Sequence, residues 1–283
     1  MSYTYLLSLF VILIGFSLYP LISKKYIVGV GYKKFIPIML GFSAIGATLI
    51  TVIIYRSFTF NLVYIPLLAF LGAMYTFAMY LVLYSIENYN VSIINTLTGT
   101  QEVLIAFFSS IFFFISDLRS ILLPFLIIIT GIVFLLFNKH GKTRFSKYMI
   151  FTLIAVLTWV FMWILFYTIN TSFPLLYYSV LQSFAFLFSL PVALLQNRHK
   201  SLNFYLSDKK FKYIALAGIL NGVATVAFSF AYRFNAILTP FVAQLGIPIV
   251  VIASFLFLGE RSRKFGWIGI TLIILGSFVY ILV

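Results

Sequence analysis

The stretch ILLPFLIIITGIVFLLFN, residues 121–138, holds no charged side chain and only one hydroxyl and one amide in eighteen positions. A helix needs roughly 20 apolar residues to cross the hydrocarbon core of a bilayer. A strand of a membrane barrel would instead alternate apolar and polar positions. In lipid the backbone must satisfy its own hydrogen bonds, and a helix does so within one segment. Working outward, runs of the same kind occupy residues 3–23, 35–55, 61–84, 89–115, 148–170, 173–196, 213–232, 236–258 and 265–282. The chain is therefore expected to be an all-α integral membrane protein with ten transmembrane helices, a multi-pass protein of the cell membrane.

Composition agrees. Of 283 residues 63% are hydrophobic and 8% charged, with a mean hydropathy of +1.14; a soluble domain is about half apolar and about a quarter charged. Ten spans leave no room for a sizeable soluble domain. The formal charge of +14 sits in short basic clusters between apolar runs, which points to membrane topology and not to nucleic acid. The absence of cysteine excludes disulfides, thiolate catalysis and Cys-based metal sites, and His140 and His199 lie in Lys/Arg-rich loops. The first run lacks a basic leader and a small-residue cleavage pattern, so it reads as a first helix and not as a removable signal. No phosphate-binding Gly loop, metal-spaced His cluster or nucleophile elbow is present, and an enzyme is not expected.

An offset of 145 residues lays Asn90 on Asn235, Ser109 on Ser254 and Gly131 on Gly276. It also sets Thr76, Tyr80 and Tyr84 over Asn221, Thr225 and Ser229, so the third helix of each half carries polar groups on one face. Five plus five helices make the two halves inverted repeats, residues 1–140 and 146–283, joined by a basic linker from Lys139 to Lys147. Sixteen Lys and Arg fall in the loops after spans one, five, seven and nine: Lys24, Lys25, Lys33 and Lys34; Lys139, Lys142, Arg144 and Lys147; Arg198, Lys200, Lys209, Lys210 and Lys212; and Arg261, Arg263 and Lys264. The other side has only Arg56, Arg119 and Arg233. The positive-inside rule then puts both termini outside the cytoplasm.

Of the five acidic residues, Glu87, Asp117, Asp208 and Glu260 fall near helix ends. Glu102 alone is expected deep in a span, where an acid costs about 2.5–3.5 kcal/mol on insertion scales. Helical spacing puts Asn95, Thr98, Glu102 and Ser109 on one stripe. Two readings of Glu102 stand at this point: it binds an amino group or a proton that competes with one, or it is a neutral carboxyl tying helices together. Asn221, Thr225 and Ser229 form a polar face suited to a cavity. Thr239, Gln244 and Gln182 are further buried polar groups, of which Gln182 reads as interhelical glue. Trp159 and Trp163, one turn apart, and Tyr80 and Tyr84 can stack on planar or cationic solutes, although interfacial belts also use such residues.

The segment Phe255-Leu256-Phe257-Leu258-Gly259-Glu260-Arg261, with Trp267-Ile268-Gly269 and Leu272-Ile273-Ile274-Leu275-Gly276 after it, resembles the end of an EamA-like repeat in the drug/metabolite transporter superfamily. That family's ninth helix runs into L-G-E-R and its tenth reads W-x-G-x-x-L-I-x-x-G. Its frequent Glu-Pro pair is split here: Val103 follows Glu102, and Pro248 sits at the offset position of Val103. The first half ends in Ile115-Ser116-Asp117-Leu118-Arg119 in place of L-G-E-R. The resemblance implies cytoplasmic termini, opposite to the loop charges. It also implies a secondary transporter moving a small metabolite, such as an amino acid, outward by alternating access around a midplane site. The residues expected at that site are Glu102, Asn95, Thr98, Tyr80, Thr76, Asn221, Thr225, Gln244, Trp159 and Trp163, with Pro248 as a bend. No cofactor is expected beyond a coupled proton; the partners are a small solute and lipid, in a monomer or homodimer. The alternative is a lipid- or partner-binding scaffold without transport.

Overall fold

The computed structural model describes residues 3–54, 60–113, 118–136, 146–169, 174–196, 210–260 and 264–282. Arg56, Asp117, Lys139, His140, Lys142, Arg144, Arg198, His199, Lys200, Asp208, Lys209, Arg261 and Arg263 lie outside the described residues. The described elements are α1 (Tyr3–Ile27), α2 (Tyr32–Ile54), a 3₁₀ turn (Leu62–Tyr64), α3 (Ile65–Asn88), α4 (Val91–Phe113), α5 (Leu118–Leu136), α6 (Lys147–Ile169), α7 (Pro174–Gln196), α8 (Phe211–Phe234), α9 (Leu238–Gln244), α10 (Gly246–Leu258) and α11 (Lys264–Leu282). No strand occurs among the described residues. Among the described residues eight segments are long and apolar enough to cross a membrane, α9 and α10 forming one of them as Leu238–Leu258; α5 and α11 contain shorter apolar stretches, Ile121–Phe134 and Trp267–Val279. The protein is an integral membrane protein of the multi-pass type.

One span expected as a single helix is broken. Pro248 has no N–H to give the carbonyl of Gln244, and its ring crowds that carbonyl. The helix accordingly stops at Gln244 and restarts at Gly246. Upstream, α8 ends where Asn235 turns extended, and its Oδ1 accepts from Ile237 N at 3.1 Å and Leu238 N at 2.8 Å. These bonds satisfy donors at the start of α9 that have no partner within the helix.

Small residues set the closest helix crossings. A Cβ on Gly218 or Gly222 of α8 would strike the backbone of Met39 or Ser43 of α2, and one on Gly131 of α5 would strike that of Gly269 of α11. α8 also packs along α1, while α3 packs against α6 and α7 and α4 against α6.

One end of the bundle is tied by polar contacts. Lys24 Nζ, near the end of α1, donates to Ile86 O at 2.7 Å and Tyr89 O at 2.8 Å, carbonyls at the end of α3. Glu87 Oε2 accepts from Tyr32 N at 3.2 Å, and the rings of Tyr26 and Tyr213 stack at 4.2 Å. Gly259 closes α10 in the left-handed conformation, φ 68°, which favours glycine. The chain then places Glu260 against the start of α4, where Oε1 accepts from Val91 N at 2.9 Å and Oε2 from Ser92 N at 3.1 Å and Ser92 Oγ at 2.7 Å. The lysines at 24, 25, 33, 34, 147, 210 and 212 gather at this basic end. At the opposite end Tyr5 of α1 meets Thr239 and Phe234.

Two stability measurements test this packing, both by thermal unfolding in detergent. Gly222→Val forces α2 and α8 apart and should cost about 1–3 kcal/mol. Glu260→Ala strips three charge-assisted bonds from the start of α4 and should cost about 1.5–3 kcal/mol; an unchanged midpoint in either variant would contradict the contact it removes.

Candidate functional site

The predicted stripe on α4 faces inward. Glu102 is 8% exposed, and its Oε2 is enclosed without a hydrogen-bond partner among the described residues. Asn95, Thr98 and Glu102 line a cavity of about 80 Å³. Ser109, two turns further along, lies outside the lining and shares a 2.5 Å hydrogen bond with Tyr232 OH. Thr98 Oγ1 donates back to Asn95 O at 2.9 Å.

α8 forms the facing wall with Asn221, Thr225 and Phe228. Asn221 Nδ2 donates to Ser43 Oγ of α2 at 3.2 Å and to Tyr75 OH of α3 at 2.9 Å, and Ser43 Oγ donates on to Gln182 Oε1 of α7 at 3.1 Å. Thr225 Oγ1 donates to Asn221 O at 2.7 Å. Four helices are thus joined beside the cavity by a polar network in which Gln182 is the glue its sequence position suggested. The third polar member of the α8 face, Ser229, is buried outside the lining.

Aromatic rings make up much of the remaining wall. Trp159 and Trp163 both line the cavity from α6. Trp163 stacks on Tyr178 of α7 at 5.2 Å and leans on Phe228 at 4.8 Å; Tyr75 meets Trp159 at 6.1 Å. Phe16 and Tyr19 of α1 close one side. The break between α9 and α10 supplies Ala243, Gly246 and Ile247, so the interruption caused by Pro248 borders the cavity, as irregular backbone within a membrane protein does when it faces a protein-lined space.

Three expected residues lie elsewhere. Thr76 Oγ1 donates to Gly72 O at 2.9 Å and Ala185 O at 2.8 Å, joining α3 to α7. Tyr80 OH donates to Ser189 O at 3.4 Å, and its ring meets Tyr32 edge-on. Gln244 Nε2 donates to Gly99 O and holds α9 to α4. The physical reason on α3 is helical phase: Tyr75 and Met79, each one residue earlier and about 100° around the helix, face the cavity in place of Thr76 and Tyr80. Tyr19, Tyr75 and Tyr178 were missed because nothing in spacing separates a cavity tyrosine from the many interfacial ones.

The cavity can hold a small solute against one carboxyl, several amides and hydroxyls, and a wall of rings. Among the described residues no group of three or more His, Cys, Asp or Glu could hold a metal ion. A crystal structure of a protein aligns with this chain at a TM-score of 0.68, covering 96% of this chain and 98% of the other at 15% identity; that likeness shows the fold. No curated protein matches the sequence. Residues 146–282 match the EamA-like transporter family, so the second half of the chain is similar to a repeat of that family.

Proposed function

We propose that the protein is a secondary transporter that exports a small metabolite, an amino acid or a related amine, from the cell by alternating access of two inverted five-helix halves, residues 1–140 and 146–283. The observation that carries this reading is Glu102: an acid within a membrane span, 8% exposed, partnerless at Oε2 and lining a cavity. A carboxyl kept only for packing would be expected to spend both oxygens on neighbouring donors. The inverted arrangement is supported by how the helices pair. α1 packs on α8 as α6 packs on α3, α2 packs on α8 as α7 packs on α3, and α5 packs on α11. A two-fold axis in the membrane plane relating α1–α5 to α6–α11 generates these pairings.

In this mechanism Glu102 takes an amine from one side and a proton from the other, so that the two compete for one carboxylate. Asn95, Thr98, Asn221 and Thr225 orient the solute, and Trp159 and Trp163 cover it. The cavity favours a transporter over a lipid-holding scaffold. At ~10–15 Å³ of cavity volume per water, 80 Å³ holds ~5–8 waters, room for a small solute.

Proteoliposomes loaded with a panel of amino acids and amines, with and without a pH gradient, test the reading. Gradient-driven flux should fall about tenfold or more in Glu102→Gln; equal flux in mutant and wild type would reduce Glu102 to a packing residue. Orientation follows from the basic end, which the positive-inside rule assigns to the cytoplasm. The chain has no native cysteine, so single replacements report cleanly. A membrane-impermeant maleimide added to intact cells should label Val63→Cys and leave Lys25→Cys unlabelled, and the reverse pattern would invert the topology.

A further inference from the structure

The cavity lining contains one acid, Glu102, and no Lys, Arg or His among the described residues. An amino acid brought there would place its ammonium on Glu102 but would leave its own carboxylate with no cation to meet. The remaining donors of the lining, among them Asn95, Gln101, Tyr19 and the partnerless Trp159 Nε1 and Tyr178 OH, are neutral and supply no charge, and others are spent. Asn221 Nδ2 gives its hydrogens to Ser43 and Tyr75, Thr98 Oγ1 donates to Asn95 O, and Thr225 Oγ1 donates to Asn221 O. The rings repel what is left of the choice: an aromatic face attracts a cation and disfavours an anion, and Trp159, Trp163, Tyr75 and Phe228 all face the cavity.

We infer that the site selects a protonated amine without a carboxylate, a monoamine of about ten heavy atoms or fewer, over the amino acid of the same side chain. This rests on the reading of the cavity as the substrate site and narrows its substrate class. The carboxylate of Glu102 supplies the single negative charge. Because Glu102 Oε2 has no donor among the described residues, an amine that keeps its N–H groups supplies one that a quaternary ammonium cannot, since a buried acceptor without a partner costs the full penalty of its desolvation.

The test is isothermal titration of the full chain in lipid nanodiscs with four probes: 2-phenylethylamine, 1-phenylpropan-2-amine, phenylalanine and trimethyl(2-phenylethyl)ammonium. The first two carry a free amine and no carboxylate and should bind with similar Kd. Phenylalanine and the quaternary compound should each bind at least about tenfold more weakly. Glu102→Gln should weaken the amine by a similar factor. If that variant fails to fold, the ligand series on the wild-type chain decides by itself. Phenylalanine binding as tightly as the amine, the quaternary compound doing so, or no binding of any probe would each overturn the inference. The transport reading fails separately: amines that bind as expected but never cross proteoliposomes would sink transport and leave this selectivity intact, whereas flux of phenylalanine in preference to the amine would do the opposite.

Discussion

Where Gly222 lies against the backbone of Ser43, α2 and α8 cross with no side chain between them, and the rest of the central architecture depends on that approach. Apolar side chains gain little by leaving lipid for protein, so helices in a membrane associate through close packing and polar contacts. Removing a side chain at the crossing lets two backbones meet. It also brings Asn221, the neighbouring residue, within 3.2 Å of Ser43 Oγ. From there the network reaches Tyr75 on α3 and Gln182 on α7. One wall of the cavity is therefore fixed by the same contact that fixes the helix pair, and a displacement of α8 along α2 would stretch the Asn221–Ser43 bond.

The opposite wall is held in a different way. α4 carries Glu102, and its first turn is capped by Glu260 from the end of α10. Gln244, at the end of α9, holds Gly99 one turn before Glu102. The broken span thus grips α4 at two heights, with the Pro248 interruption between the grips. The L-G-E sequence has a physical meaning here: glycine supplies the left-handed residue that ends α10, and the acid that follows finds the unpaired N–H groups at the start of α4.

Much of this was legible in the sequence because the bilayer imposes a length. Runs of about 20 apolar residues locate helices whatever their partners, and the 3.6-residue period placed Asn95, Thr98 and Glu102 on one inward face. Boundaries shifted where polar residues continued a helix, as at Glu87 and Asn88, which extend α3 to Asn88 beyond the expected end at residue 84. The face of α3 was not legible. Thr76 and Tyr80 are polar in a regular pattern, but a polar group in a membrane helix serves a neighbouring backbone as readily as a cavity, and Thr76 serves Ala185 O. Tyr75 carried no signal among 19 tyrosines and 34 phenylalanines. Which helix lies opposite a polar stripe is a property of packing, and a single sequence does not encode it locally.

The solitary charge at the centre gives the proposed mechanism its physical logic. A carboxylate removed from water without a partner is too costly to persist, and nothing in the cavity lining among the described residues offers Glu102 a cation. An occupied site then has two low-energy forms, with either a proton or a substrate ammonium on the carboxyl, and the empty anionic form is the expensive one. Exchange between the two forms requires no communication over distance, because one group binds both species and each excludes the other. A lysine or arginine beside Glu102 would remove this constraint by making the empty site comfortable, and with it the obligation to exchange. The lack of such a residue in the lining is as much a part of the proposed design as Glu102 itself.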